Sequence, residues 1–114
     1  MYIPGKVFVV TGGGNGIGRA VVLDLVARGA KGVAAVDVDR DGLAETAALA
    51  GSAAVSTHVV DLADRDAVAA LPQVVVDTHG QVDGVLNVAG IIQRFVPVAE
   101  LSYEDIATVM DVNF

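Results

Sequence analysis

The chain has 114 residues, enough for one domain or part of one. It is 54% hydrophobic, carries a net charge of −7 and contains no cysteine. Disulfides, a thiol nucleophile and a thiolate metal site are thereby excluded, and the negative charge argues against nonspecific nucleic-acid or anionic-membrane binding.

The elements alternate along the chain. Val7 to Val10 is an apolar, β-branched run that predicts a fully buried strand. Ile17 to Arg28 has helical periodicity, with Ile17, Ala20, Val21, Leu25 and Val26 near one face and Gly29 as its stop. Val33 to Val36 predicts a second strand ending at Asp37, and Asp41 to Leu49 a short Ala-rich helix. Ala53 to Val60 predicts a third strand ending at Asp61. Asp64 to His79 follows as a helical region closed by Gly80. Within it, Val74-Val75-Val76 would suit a strand, but the alternation favours a helix kinked or restarted at Pro72. Val82 to Val88 predicts a fourth strand, followed by Ala89-Gly90. Ser102, with Asp105 in the reciprocal capping position, opens a helix that runs to Phe114.

Strands apolar on both faces and separated by helices predict an α/β fold, a doubly wound parallel sheet covered on both sides. The crossovers are expected to be right-handed. No apolar run approaches the roughly 18 residues of a membrane span, and no basic-plus-apolar leader opens the chain. The expectation is a soluble, cytoplasmic protein without a membrane or nucleic-acid partner.

The chemistry is concentrated in Thr11-Gly12-Gly13-Gly14-Asn15-Gly16-Ile17-Gly18, between the first strand and the first helix. A helix N-terminus offers unpaired amides and the positive end of its dipole, so it suits a phosphate. Glycines let the chain turn tightly and let a pyrophosphate approach without meeting Cβ atoms. A glycine run can also be a plain tight turn. The spacing is Gly12-x-x-x-Gly16-x-Gly18 rather than Gly-x-Gly-x-x-Gly.

Asp37 lies about 20 residues past Gly18, where a strand-end carboxylate can accept hydrogen bonds from a ribose 2′,3′-diol and repel a 2′-phosphate. Asn15 is not basic, and the nearest basic residue after Asp37 is Arg40, so NAD is favoured over NADP. Asp61, before Leu62, could accept from an adenine amino group or could cap the helix near Asp64. His58 and His79 have no partner at metal-ligand spacing, so no metal site is expected. His79 ends a helix, where a cation is favourable.

Taken together, Thr11-Gly12-x-x-x-Gly16-x-Gly18, Asp37, Asp61-Leu62, Asn87-Val88-Ala89-Gly90 and Val112-Asn113 resemble, in order and spacing, the short-chain dehydrogenase/reductase family. The resemblance covers essentially the whole chain. It implies a Rossmann-like sheet and a nicotinamide cofactor. Thr11, Gly12, Gly14, Asn15, Gly16, Ile17 and Gly18 would hold the pyrophosphate. Asp37 would select NAD, and Asp61 with Leu62 would meet adenine. Asn87, Ala89 and Gly90 would support the sheet and line the cofactor ribose. Val88 stands where the family has a second Asn, so any side-chain hydrogen bond of that Asn is lost. Asn113 falls at the Asn of the family's catalytic tetrad, which helps hold a water in a proton relay.

The other tetrad members, a Ser and a Tyr-x-x-x-Lys pair, lie further along in the family, beyond Phe114. Tyr103 cannot replace that Tyr, because position 107 is Ala. Residues 1–114 are therefore expected to be the NAD-binding half of an oxidoreductase acting on an alcohol or carbonyl substrate, with the C-terminal half absent. That half-domain is expected to be inactive alone and to self-associate or form a homo-oligomer. The alternatives are a non-catalytic NAD-binding or interaction fragment and a methyltransferase. The pyrophosphate-type turn and the Asn-x-Ala-Gly run disfavour the methyltransferase.

Overall fold

The fold is taken from a computed structural model that describes residues 2–93 and 95–114. Four parallel strands form one sheet: β1 (Val7–Thr11), β2 (Gly32–Asp37), β3 (Val55–Val59) and β4 (Gly84–Asn87). Between them run α1 (Gly16–Ala27), α2 (Arg40–Ala50) and α3 (Arg65–His79), and α4 (Tyr103–Asn113) follows β4. The strand order is β3-β2-β1-β4, so β1 lies between β2 and β4 as the doubly wound expectation requires.

Period-two alternation assigns the faces of β1. Phe8 and Val10 join Val22 and Leu25 of α1, Leu43 of α2, and Val33 and Ala35 of β2. Val7 and Val9 face the other way and pack with Ala34, Val36 and Val75 of α3. Both faces are apolar because helices cover both, as in other parallel sheets. A fully buried Val such as Val10 or Val75 contributes about 2 kcal/mol by removal from water.

The helix ends follow their capping chemistry. Asp39 accepts from the Gly42 amide at the start of α2, and Asp64 accepts from Asp66 and Ala67 at the start of α3. Gly51 and Gly80 end those helices in the left-handed conformation. Ser102 and Asp105 form the expected capping box on α4.

The helix over 65–79 is one element with Pro72 inside it, so the restart is set aside. Three expectations need correction. On α1 the buried residues are Gly18, Val22 and Leu25, and the expected Val21 and Val26 pack partly buried against the same core. Ile17 and Ala20 are exposed instead, since the close approach of Gly18 to the glycine turn rotates them outward. The fourth strand covers 84–87, not 82–88. Asp83 uses its own amide and carboxylate on Val7 O and N, 2.8 Å each, and Val88 N turns to the Thr11 hydroxyl. The third strand covers 55–59 rather than 53–60, because Ser52 holds Ala54 and Val55 in a turn.

Candidate functional site

The site lies at the carboxyl ends of β1, β2 and β4, where crevices form in open parallel sheets. After Thr11 the chain turns at Gly12 with φ +71. A methyl on Gly12 would lie 2.9 Å from the backbone N and Cα of Ala89, and one on Gly14 would lie 2.8 Å from Asp37 Oδ2. A methyl on Gly18 would collide with the Gly12 carbonyl. The turn can follow this path only without side chains, which is the cradle a pyrophosphate requires.

The turn has two halves with different partners. In the first half the amides and carbonyls of Gly13 and Gly14 are all used internally. Gly13 N donates to Val36 O at 3.1 Å, and Gly14 N donates to Asp37 Oδ2 at 2.9 Å. Gly13 O accepts from Thr46 Oγ1 at 2.7 Å, and Gly14 O accepts from Arg19 Nη2 at 2.6 Å. Gly14 therefore anchors the turn, its amide being committed to Asp37. In the second half, Asn15 precedes α1 without a side-chain cap, and Gly16 has φ +51. The amides of Gly16, Ile17 and Gly18 begin α1, where no intrahelical acceptor exists. Asn15, Gly16 and Ile17 are exposed.

Asp37 caps β2 with a fixed carboxylate. Besides the Gly14 bond on Oδ2, its Oδ1 accepts from Asp39 N at 3.1 Å. Asp61 is exposed, and its Oδ1 accepts from Ala63 N at 2.9 Å. The cap of α3 is Asp64, so the capping alternative for Asp61 is replaced by a turn at the end of β3. Asp37, Asp61, Leu62, Gly12, Ala89 and Gly90 together line one cavity of about 140 Å³. Residues that lie far apart in sequence thus meet on one wall.

Thr11 acts from beneath this cavity. Its hydroxyl oxygen accepts from Val88 N and Ala89 N, both at 3.1 Å, and ties the end of β1 to the end of β4. Both bonds involve backbone amides, so Val88 replaces an Asn without disturbing them, and its side chain packs against the α1 side of the core. Asn87 pairs with Thr11 in the sheet and lines a second, larger cleft of about 540 Å³, together with Ala89, Leu62, Met110 and Asn113. Asn113 also reaches back to the segment after β4, where its carboxamide is bound by the Ile91 backbone.

A Tyr-x-x-x-Lys spacing does occur at Tyr2 and Lys6, on the segment leading into β1. That is the opposite end of the strand from the glycine turn, so the pair is outside the site. Tyr103, on the first turn of α4, is 92% exposed.

The histidines differ from expectation. Ser56 Oγ lies 2.7 Å from His58 Nε2 and 2.7 Å from His79 Nε2, so β3 and the end of α3 share a hydrogen-bonded cluster. Desolvation, and then His79, lowers the His58 pKa; desolvation, and then Lys31, lowers that of His79. Loss of water and a nearby ammonium therefore outweigh the helix end, and His79 favours its neutral form. No group of three or more His, Cys, Asp or Glu converges as a metal site among the described residues.

Two residues essential to the turn escaped sequence reasoning. Arg19 and Thr46 look like an exposed helix cation and an ordinary helix Thr. The signal available was only the basic residue directly after Gly18.

A family model described as short chain dehydrogenase matches residues 6–114. The chain is 45% identical over 112 residues to a putative oxidoreductase, SadH, of Mycobacterium tuberculosis, covering 96% of this chain and 40% of that protein. It superposes on a metagenomic short-chain oxidoreductase in complex with NADP with a TM-score of 0.89 at 29% identity, covering 100% of this chain and 52% of that one. It superposes on a 3-ketoacyl-(acyl-carrier-protein) reductase from Brucella melitensis complexed with NADH with a TM-score of 0.91 at 28% identity, covering 97% and 45%. The chain thus spans about two fifths of the SadH length and about half of the solved chains.

Proposed function

The chain belongs to the short-chain dehydrogenase family, and from that premise we propose that it is the NAD-binding half of an oxidoreductase. A nicotinamide cofactor, when bound, supplies hydride transfer to or from an alcohol or carbonyl carbon. Gly12, Gly16, Ile17 and Gly18 would hold its pyrophosphate, with Gly14 and Thr11 fixing the turn. Asp61 and Leu62 would flank adenine, and Asn87, Ala89 and Gly90 the ribose and nicotinamide side. Asn113 would hold the segment after β4 in place beside the reacting groups.

The observation that carries the choice of NAD is the fixed carboxylate of Asp37 on the cavity wall. Two backbone amides orient it. Val38 and Asp39 follow it, and the Arg19 guanidinium is committed to the glycine turn and α2. A diol would meet an acceptor there, and a 2′-phosphate would meet a like charge.

The alternative is a nucleotide-binding fragment without chemistry. It is supported by the exposed position of Tyr103, and by Tyr2 and Lys6 lying at the far end of β1. Both readings hold that the 114-residue chain binds but does not turn over. Calorimetric binding of ADP-ribose, paired with an NADH-formation assay on simple secondary alcohols, tests this. Binding without turnover is expected. A folded chain that binds no ADP-ribose overturns the cofactor reading, and sustained NADH formation overturns the inactivity. The proposed setting is cytoplasmic, and no helix among the described residues is long and apolar enough to cross a membrane.

A further inference from the structure

We propose that Arg19, seated on buried Thr46, is a positioning residue for the pyrophosphate end of the cofactor site. The inference rests on the cofactor reading and names a part of the machinery outside the glycine motif. Arg19 is the fourth residue of α1, and its side chain crosses to the start of α2. Its Nη2 donates its two hydrogens to Gly14 O at 2.6 Å and Gly42 O at 3.1 Å, and Glu45 Oε2 lies 3.3 Å away as an ion-pair partner. Its Nε donates to Thr46 Oγ1 at 2.9 Å. The Thr46 side chain is fully buried. Having accepted from Arg19, its hydroxyl has one proton to give, and the shorter contact is to Gly13 O at 2.7 Å rather than Gly42 O at 3.1 Å.

The consequence is directional. The carbonyls of Gly13 and Gly14 are both held toward α2 by Thr46 and Arg19. A carbonyl dipole that swung toward an anion would repel it, whereas the amides of Gly16, Ile17 and Gly18 attract it. Holding two successive carbonyls back orders the peptides before ligand arrives, so less conformational entropy is lost on binding. Arg19 also places a cation against the Gly14 carbonyl, beside the glycine turn. A planar guanidinium can hold Gly14 O, Gly42 O and Thr46 at once; a Lys ammonium on a single atom cannot match that fork.

Gly42 completes the device. A methyl there would lie 2.6 Å from Gly14 O and 2.5 Å from Asp39 Oδ2. Its absence lets α2 approach the turn closely enough for Arg19 to bridge the two.

The test compares two probes that share adenosine and differ in the pyrophosphate: adenosine and ADP. Affinities are measured on the 114-residue chain and on Arg19→Met, Arg19→Lys and Thr46→Val, with cooperative unfolding recorded for each. For Arg19→Met, ADP affinity is expected to fall roughly tenfold while adenosine affinity stays within about twofold. Arg19→Lys restores the charge but only part of the affinity. Thr46→Val, nearly isosteric, repeats the ADP-selective loss and decides the matter if Arg19→Met fails to fold. Equal losses for both probes would make Arg19 a scaffold residue and overturn the proposal, as would unchanged ADP affinity. Full recovery in Arg19→Lys would reduce the effect to charge and overturn the positioning role. If the unmodified chain binds neither probe, the cofactor reading fails and takes this proposal with it.

Discussion

Asn113 and Ile91 exchange two hydrogen bonds, Ile91 N donating to Asn113 Oδ1 and Asn113 Nδ2 donating to Ile91 O, each at 2.9 Å. One carboxamide thus ties the end of α4 to the segment that leaves the site after β4. Both polar atoms of the side chain are engaged, so Asn113 acts here by holding backbone. Asn113→Asp keeps the shape but loses the donor and sets a charge against the Ile91 carbonyl. It is expected to destabilise the chain by about 1–2 kcal/mol. Asn113→Ala is expected to cost about 1 kcal/mol. Urea denaturation measures both, and amide exchange at Ile91 should accelerate in each. Unchanged exchange at Ile91 would separate the residue from the segment it contacts.

The Ser56–His58–His79 cluster makes stability pH-dependent. Both imidazoles titrate below their ordinary value of 6.5 in the folded chain, first because of desolvation. The unfolded chain therefore takes up protons that the folded chain resists. Stability should fall as pH drops below 6.5 and level off once the folded pKa values are passed. A second loss begins below 3.8, because the Val7 amide, and then Gln81, hold the Asp83 carboxyl below that value. Denaturant midpoints compared at about pH 7.5 and 5.5 read the first effect. His79→Gln, which can still bond Ser56, should flatten it; an unaltered slope in that variant would remove the cluster from the account.

Exposed apolar residues on α4 and β4 predict self-association. None of the 11 residues of α4 is buried, and Met110 and Phe114 are 52% and 95% exposed. β4 is an edge strand, with Val85 exposed and neither Pro nor Lys along it. An open apolar edge of this kind invites pairing. Sedimentation at rising concentration is expected to show dimers or larger species. Val85→Lys should shift them toward monomer, since Val85 faces outward whereas Leu86 packs inward. A sharp monomer boundary at high concentration for the unmodified chain would contradict the expectation.

What was legible in the sequence follows from how local each signal is. The runs 7–10 and 33–36 are apolar on both faces, so their burial and parallel pairing could be read directly. The Ser102–Asp105 cap and the Gly29 and Gly80 stops are likewise local. On α1 the inward Val21, Leu25 and Val26 were legible, but Ile17 and Ala20 were placed with them because Gly18, which carries no hydrophobic signal, is the residue pressed inward at that end. The acids and glycines at the carboxyl ends of the strands were visible as a motif, but their division of labour was not. Gly14 and Asp37 each read as ligand contacts, and only the fold shows that they bind each other. Arg19 with Thr46, and Ser56 with both histidines, are pairings between separate elements that leave no periodic trace.

The most direct test of the account is a side-by-side calorimetric titration of the unmodified chain with NAD and with NADP, repeated on Asp37→Ala. The fixed Asp37 carboxylate predicts that NAD binds more tightly by about 1–3 kcal/mol, roughly 5- to 150-fold, and that the substitution narrows the gap. Equal affinity for the two cofactors, or tighter binding of NADP, by the unmodified chain would contradict it.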